Sequence, residues 1–176
     1  MERAKELFLG YSGNRFYMDL NGEGSEYAGY HVPKETEEMW AKEHISCFLE
    51  SGMQGKEALR AYSAAIGLLD HEKSEDIRSR CLYYPLRAKH LDDVTILFML
   101  PVSFRMAEKE AKERRISRED IDAYLRELSG YRKLVLARAE DGTLSRAKDY
   151  VMQEFSDPVY VADYLNSLEK EWAGLL

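Results

Sequence analysis

Past Pro33 the apolar side chains fall at steps of three and four, the spacing that places them on one face of an α-helix. Trp40, Ala41, His44, Ile45, Phe48 and Leu49 form the first such stripe, with Pro33 at the favoured opening position and Gly52 beyond the end. From Gly55, a second stripe of Leu59, Tyr62, Ile66 and Leu69 is flanked by Ala58, Ala61 and Ala65, small enough to let a neighbouring helix approach closely. A third helix opens near Ser74 with Ile77 and Cys81. Ser117-Arg118-Glu119-Asp120 reads as a capping box, followed by Ile121, Tyr124, Leu125, Leu128, Tyr131 and Val135 in register. Gly130 lies inside that run as a point of weakness or bending. Leu144, Ala147 and Val151 predict a penultimate helix, and Ser156-Asp157-Pro158 opens a last one that buries Val161, Leu165, Leu168 and Trp172.

These patterns predict a mainly α fold, an irregular multi-helix bundle or stacked helical hairpins. Helix pairs recur at intervals of about forty residues, the length of HEAT-type repeats, although no positions repeat between them. Two prolines complicate the middle of the chain. Pro85 lacks an amide hydrogen and crowds the preceding turn, so a break or kink is expected there. Pro101 divides the apolar segment that follows into two helices in preference to one.

Residues 10–32 do not share the helical period. The span holds five of the eleven glycines and four of the twelve tyrosines, and Arg15 to Leu20 alternates before Asn21-Gly22, a strong hairpin-turn signal. The returning arm has no β-branched residue before Val32. A short hairpin and a loop laid on the helices are therefore both open. Tyr17, Asp19, Tyr27 and Tyr30 are the side chains of this element expected to meet a ligand, because aromatics on an irregular surface are common recognition groups.

A chain of 176 residues fits one domain, 1–176, with a single core. Its net charge of −7 argues against general affinity for nucleic acid or anionic lipid, both of which need clustered cations. From Glu140 to Leu176 eight carboxylates face three cations, an acidic surface suited to solvation or to a basic partner. The first residues lack the apolar run of a signal peptide, and the longest apolar stretch, Val94 to Val102, is half a membrane span. A cytoplasmic location follows. Cys47 and Cys81 are expected as thiols, with Cys47 packed on an apolar helix face.

Several residue clusters invite chemistry. Asp19, Asn21, Glu23 and Gly24 match the start of a calcium loop, but its twelfth position is Tyr30, which cannot close the shell. His31 sits at a junction, His44 faces Trp40 and Phe48, and His71 stands among Asp70, Glu72, Glu75 and Asp76, a polar turn or a divalent-ion set. His90, Asp92 and Asp93 are the acid-base candidates, with capping by an aspartate as the plainer role. Arg78, Arg80, Tyr83, Tyr84, Arg87 and Lys89 make a basic, aromatic run with no carboxylate from Ile77 to Leu91. That run suits an anionic ligand, or internal pairing with the acidic C-terminal segment.

Phosphate-cradling glycine loops, dinucleotide fingerprints and His-Glu-x-x-His are missing from the sequence. The residues call for no cofactor and no metal. The expectation is a non-enzymatic protein-binding domain of adaptor, inhibitor or immunity type, with a basic protein partner. An enzyme with a His/Asp site in an inter-helix cleft is the alternative, and a structural homodimer the third.

Overall fold

The computed structural model describes residues 1–147 and 153–173, and among the described residues it contains nine α-helices and no strand. They are α1 (Glu2–Gly10), α2 (Arg15–Leu20), α3 (Gly24–Gly29), α4 (Lys34–Leu49), α5 (Gly55–Leu68), α6 (Glu75–Arg87), α7 (Asp93–Lys112), α8 (Arg118–Glu140) and α9 (Pro158–Ala173). Short 3-10 turns occupy Leu69–His71 and Gln153–Ser156. The chain divides into two compact units, Met1–Ser51 with Arg60–Cys81, and Gly52–Leu59 with Leu82–Leu176. No described helix is long and apolar enough to cross a membrane.

In the first unit α1 buries Ala4, Leu7 and Phe8, and α4 buries Trp40, Ala41, Ile45 and Phe48. Phe8 touches Tyr27, Trp40 and His71, with ring centroids 6.5, 5.9 and 4.9 Å away, so one phenyl ring ties four segments together. Cys47 lies outside this packing. It is exposed, contrary to expectation, because its neighbours Ile45 and Phe48 take the inward positions of α4; Cys81 is buried.

The hairpin or loop expected over residues 10–32 is replaced by two short helices. Asn14 caps α2 by accepting the Tyr17 backbone amide on its side chain at 3.2 Å, and the Asn21 side-chain Nδ2 closes the far end by donating to the Tyr17 carbonyl at 2.8 Å. Asn21-Gly22 does turn, with Gly22 at φ +79°, but the turn joins helix to helix. A strand at 15–20 would have needed a partner that the residues after Gly22 are poorly suited to supply, whereas a helix meets its own backbone needs.

The second unit settles the prolines. α7 runs unbroken through Pro101, correcting the expected division into two helices, and α6 continues past Pro85 to Arg87. In an α-helix the amide of residue 101 would bond the carbonyl of Leu97, and proline leaves that acceptor open. The Tyr164 hydroxyl donates to it at 3.0 Å. In the first unit the same device recurs: the Cys81 carbonyl, which residue 85 would have met, accepts from the Tyr62 hydroxyl at 3.2 Å. Each internal proline is thus tolerated because a tyrosine from another helix occupies the orphaned carbonyl.

α8 starts as the capping box predicts: Ser117 Oγ accepts the Asp120 amide at 3.1 Å and donates to the Asp120 carboxylate at 2.8 Å. The helix continues through Gly130. The penultimate helix expected from Leu144, Ala147 and Val151 is corrected in part: residues 143–147 are not helical, and Val151 lies outside the described residues. The reason is Ser145, whose backbone and hydroxyl are held by Asp93 and Val94, so the segment is spent on lateral bonds instead of its own. Val161, Leu165 and Leu168 are buried on α9 as expected, and the Trp172 side chain lies outside the described residues.

Candidate functional site

The sequence places Tyr17, Asp19, Tyr27 and Tyr30 together, and the structure separates them. Tyr27 is buried, not a surface group: its hydroxyl donates to Glu37 Oε1 at 2.8 Å, and burial, then that bond, push its phenol well above the ordinary range. Arg15 stacks on the Tyr27 ring at 3.8 Å and pairs with the same Glu37 carboxylate. Tyr30 donates to Glu26 at 3.0 Å, and Arg3, followed by Tyr30, holds the Glu26 carboxyl below its usual range. Asp19 covers the start of α3 so closely that a methyl group on Gly24 would collide with its carboxylate. Of the three tyrosines only Tyr17 is exposed, at 53%.

It has company that composition alone did not single out. Phe16 is 68% and Leu20 69% exposed, while Met18 is the one α2 side chain fully buried. Positions 16, 17 and 20 fall on one helical face, so α2 presents a contiguous apolar surface anchored from behind by Met18 and by Arg15 on Glu37. Phe16 and Tyr17 meet edge to face, with centroids 5.6 Å apart.

Beside that face, within the first unit, opens a cleft of about 440 Å³ lined by Tyr11, Ser12, Asn14, Tyr17, Ser63 and Asp70, among others. One wall is the 11–14 loop, where Ser12 (φ +50°) and Gly13 (φ +71°) turn the chain through two left-handed residues. Gly13 is required there on two counts. Its φ favours glycine, and a Cβ would stand 2.2 Å from His71 Nε2. The opposite wall is α5, where Gly67 lets Ser12 approach; a Cβ on Gly67 would lie 2.8 Å from that of Ser12. His71 closes the inner end, packed edge-on against Phe8, its Nδ1 3.8 Å from Glu37 Oε2. The turn around His71 is not an ion cage. Glu72 Oε1 accepts the Lys73 and Ser74 amides at 2.8 and 2.7 Å, and His71 looks toward Glu37 of α4 instead of Glu75 or Asp76. Among the described residues no three His, Cys, Asp or Glu side chains converge as a metal site.

The basic run is largely absorbed by the fold. Arg78 is buried, its guanidinium donating to the Leu69 and Glu72 carbonyls, so it ties down the 3-10 turn and does not belong to a surface patch. Tyr83 and Tyr84 are also buried: Tyr83 donates to the Asp120 carbonyl at 2.9 Å, and the Tyr84 hydroxyl lies 3.3 Å from His90 Nε2. Arg87 stacks on Tyr83 at 3.7 Å and pairs with Glu127 on α8, not with the last helices. Arg80, Lys89 and His90 remain exposed.

Asp92 and Asp93 part company. Asp92 caps α7, accepting the Thr95 amide at 2.9 Å. Asp93 is 2% exposed and accepts four bonds, from Tyr131 at 3.2 Å, Arg138 at 2.6 Å, and the Ser145 amide and hydroxyl at 2.9 and 2.8 Å. Burial, then the Asp93 charge, hold the Tyr131 phenol far above its ordinary range and keep it a donor. Two adjacent aspartates thus serve as a helix cap and as the hub of a buried network.

Phe16, Leu20, Ser63, Gly67 and Glu37 are the site residues that sequence reasoning missed. A signal existed for the first two, since Asn14 has the chemistry of a helix cap and a helix from Arg15 would have placed Phe16 and Leu20 on one face. No family model matches the chain, and neither the curated proteins nor the solved structures offer a significant match.

Proposed function

We propose that the chain is a cytoplasmic, non-enzymatic protein-binding domain that docks a basic protein partner on the exposed face of α2. The observation that carries this is the outward display of Phe16, Tyr17 and Leu20 on a helix whose backbone is capped at both ends. A rigid, contiguous apolar surface of this kind is what interface anchors are made of. The charge around it suits a cationic partner. The first unit carries fourteen carboxylates against nine Lys and Arg, and Arg3, Lys5, Arg15 and Lys73 are already paired with glutamates. The opposed face of the partner would therefore approach a surface of net negative potential.

The catalytic alternative draws less support. Asp92 and Asp93 are committed to donors of the fold, and the His90 ring rests beside the Tyr84 hydroxyl. An acid or base needs a free face toward a substrate, and these carboxylates have their lone pairs turned inward.

Capture from native lysate by the whole chain, compared with a Phe16→Ser/Leu20→Ser variant, tests the proposal. A basic protein should be retained stoichiometrically at low salt, released at high salt, and bound about thirtyfold or more weakly by the variant, as for interface anchors worth roughly 2 kcal/mol. A partner held equally by the variant, or an acidic one, contradicts it. Self-association alone in light scattering would replace it with the homodimer.

A further inference from the structure

We propose that the outer face of α9, at Tyr160 and Asp163, binds an arginine side chain presented by another protein. The surface belongs to the second unit and does not depend on docking at α2. Its residues are an incomplete copy of an arrangement that the fold uses twice. In the first unit the Arg15 guanidinium lies 3.8 Å from the Tyr27 ring centre and pairs with the Glu37 carboxylate. In the second, Arg87 lies 3.7 Å from the Tyr83 ring centre and donates through Nε to Glu127 at 3.1 Å. Each time a tyrosine face and a carboxylate share one guanidinium, because a planar cation can stack on a ring and fork onto oxygens at once. Tyr160 and Asp163 stand three residues apart on α9, a spacing that brings side chains together on one helical face. The ring and the acid are present without the arginine: among the described residues no cation pairs with Asp163 or stacks on Tyr160.

The ring is held in place before any ligand arrives. Tyr160 meets Phe155 edge to face, with centroids 5.2 Å apart, and stacks beside Tyr164 at 6.5 Å with the planes 15° apart. Phe155 is buried and packs in turn on Phe98 of α7 at 5.2 Å. An aromatic side chain supported in this way loses little freedom on binding. Tyr160 is 36% exposed and Val159 beside it 66%, so an apolar rim adjoins the ring.

Charge fixes the sign of the ligand. Glu154, Asp157 and Asp163 are all exposed. Asp157 gives one oxygen to the Val159 amide at 2.9 Å, and both it and Glu154 suit the positive start of α9. Asp163 lies beyond the first turn, where that field has faded, and serves no cap. The cations on neighbouring positions are turned to other groups. Arg146 donates to the Ser156 hydroxyl at 3.0 Å, Arg132 of α8 to Asn166 at 2.6 Å, and Arg105 of α7 to the Pro101 carbonyl at 3.2 Å. Lys170 stands about two turns along α9 from Asp163. An incoming guanidinium therefore meets an aromatic face and an uncompensated carboxylate together.

The test is an amide NMR titration of the whole chain with the blocked peptide acetyl-Gly-Arg-Gly-Arg-Gly-amide in about 0.15 M salt, where the screening length of roughly 8 Å suppresses diffuse attraction to an acidic protein. Saturable shifts should centre on Val159, Tyr160, Asp163 and Tyr164. The citrulline peptide, of the same shape without the charge, should bind about tenfold more weakly, and the lysine peptide about threefold, since an ammonium cannot stack and fork together. Asp163→Asn and Tyr160→Leu should each weaken the arginine peptide about threefold, the worth of an exposed ion pair or cation–π contact. Asp163 is exposed, and leucine keeps an apolar contact with Phe155, so both variants should retain the wild-type spectrum away from the site. Phe16→Ser/Leu20→Ser should titrate as wild type, which separates failure here from failure at α2. No saturable shift up to about 50 mM, well above the millimolar range of weak ligands, overturns the proposal. So do shifts centred elsewhere, equal binding of the citrulline or lysine peptide, or a titration that neither α9 variant changes.

Discussion

Asp93→Asn is expected to destabilise the protein by about 3 kcal/mol and to lower its thermal midpoint by about 9 °C. The substitution keeps the shape and removes the charge, so the loss measures the bonds. Both carboxylate oxygens of Asp93 receive an obligate donor: Oδ1 accepts from Arg138 Nη1 and Oδ2 from the Ser145 amide. The Tyr131 and Ser145 hydroxyls could turn to accept from an amide group, but a guanidinium and a backbone N–H cannot. Whichever way the new side chain flips, its NH₂ faces a group that can only donate. With 2% exposure, water offers little relief. Segment 143–147 should loosen in the same variant, because Ser145 bonds Asp93 through amide and hydroxyl and Val94 through its carbonyl. Thermal unfolding reads the first effect, and faster amide exchange at Ser145 reads the second. A midpoint within about 2 °C of wild type would mean that the network holds nothing together.

Tyr62→Phe should cost about 2 kcal/mol, since it removes the hydroxyl that bonds the Cys81 carbonyl beside a proline that has no amide hydrogen to replace it. Tyr62 and Cys81 are both fully buried. The diagnostic comparison is the same substitution in a Pro85→Ala background. Alanine restores an amide hydrogen at residue 85, which bonds Cys81 in the ordinary helical way, and the cost of losing the tyrosine hydroxyl should fall below about 1 kcal/mol. Denaturant unfolding of the four proteins gives the coupling directly. Equal costs in both backgrounds would show that the hydroxyl does not answer for the proline.

These two devices explain why the sequence was legible in some places and not in others. Helical periodicity identified the inward faces of α4, α8 and α9 because burial of Trp40, Ile45, Phe48, Tyr124, Leu128, Val161 and Leu165 depends on local spacing alone. Capping at Ser117 and Asp92 was equally visible, being a matter of three or four consecutive residues. Pro101 misled because its penalty is removed by Tyr164, far away in the chain. Ser145 misled for the same reason, its partner being Asp93. Residues 10–32 were hidden by glycine and by alternation that resembled a strand, although Asn14 carried the information for a helix.

The site follows the same rule. Tyr17 was found from the aromatic character of its segment, whereas the cleft beside it exists only because Gly13 and Gly67 allow the 11–14 loop to close on His71 and α5. Two residues separated by more than fifty positions set that wall, and neither has a side chain to announce it. Arg78, Tyr83 and Tyr84 show the converse: charge and aromaticity in sequence suggested a surface, and hydrogen bonds to Leu69, Glu72, Asp120 and His90 draw all three inward.

Amide hydrogen exchange of the whole chain, with and without the partner it captures, tests the recognition proposal most directly. Protection on binding should concentrate in residues 10–21, around α2 and its loop, and in residues 63–71 across the cleft. Protection confined to the exposed cations Arg80, Arg87 and Lys89, with α2 unchanged, would contradict the account.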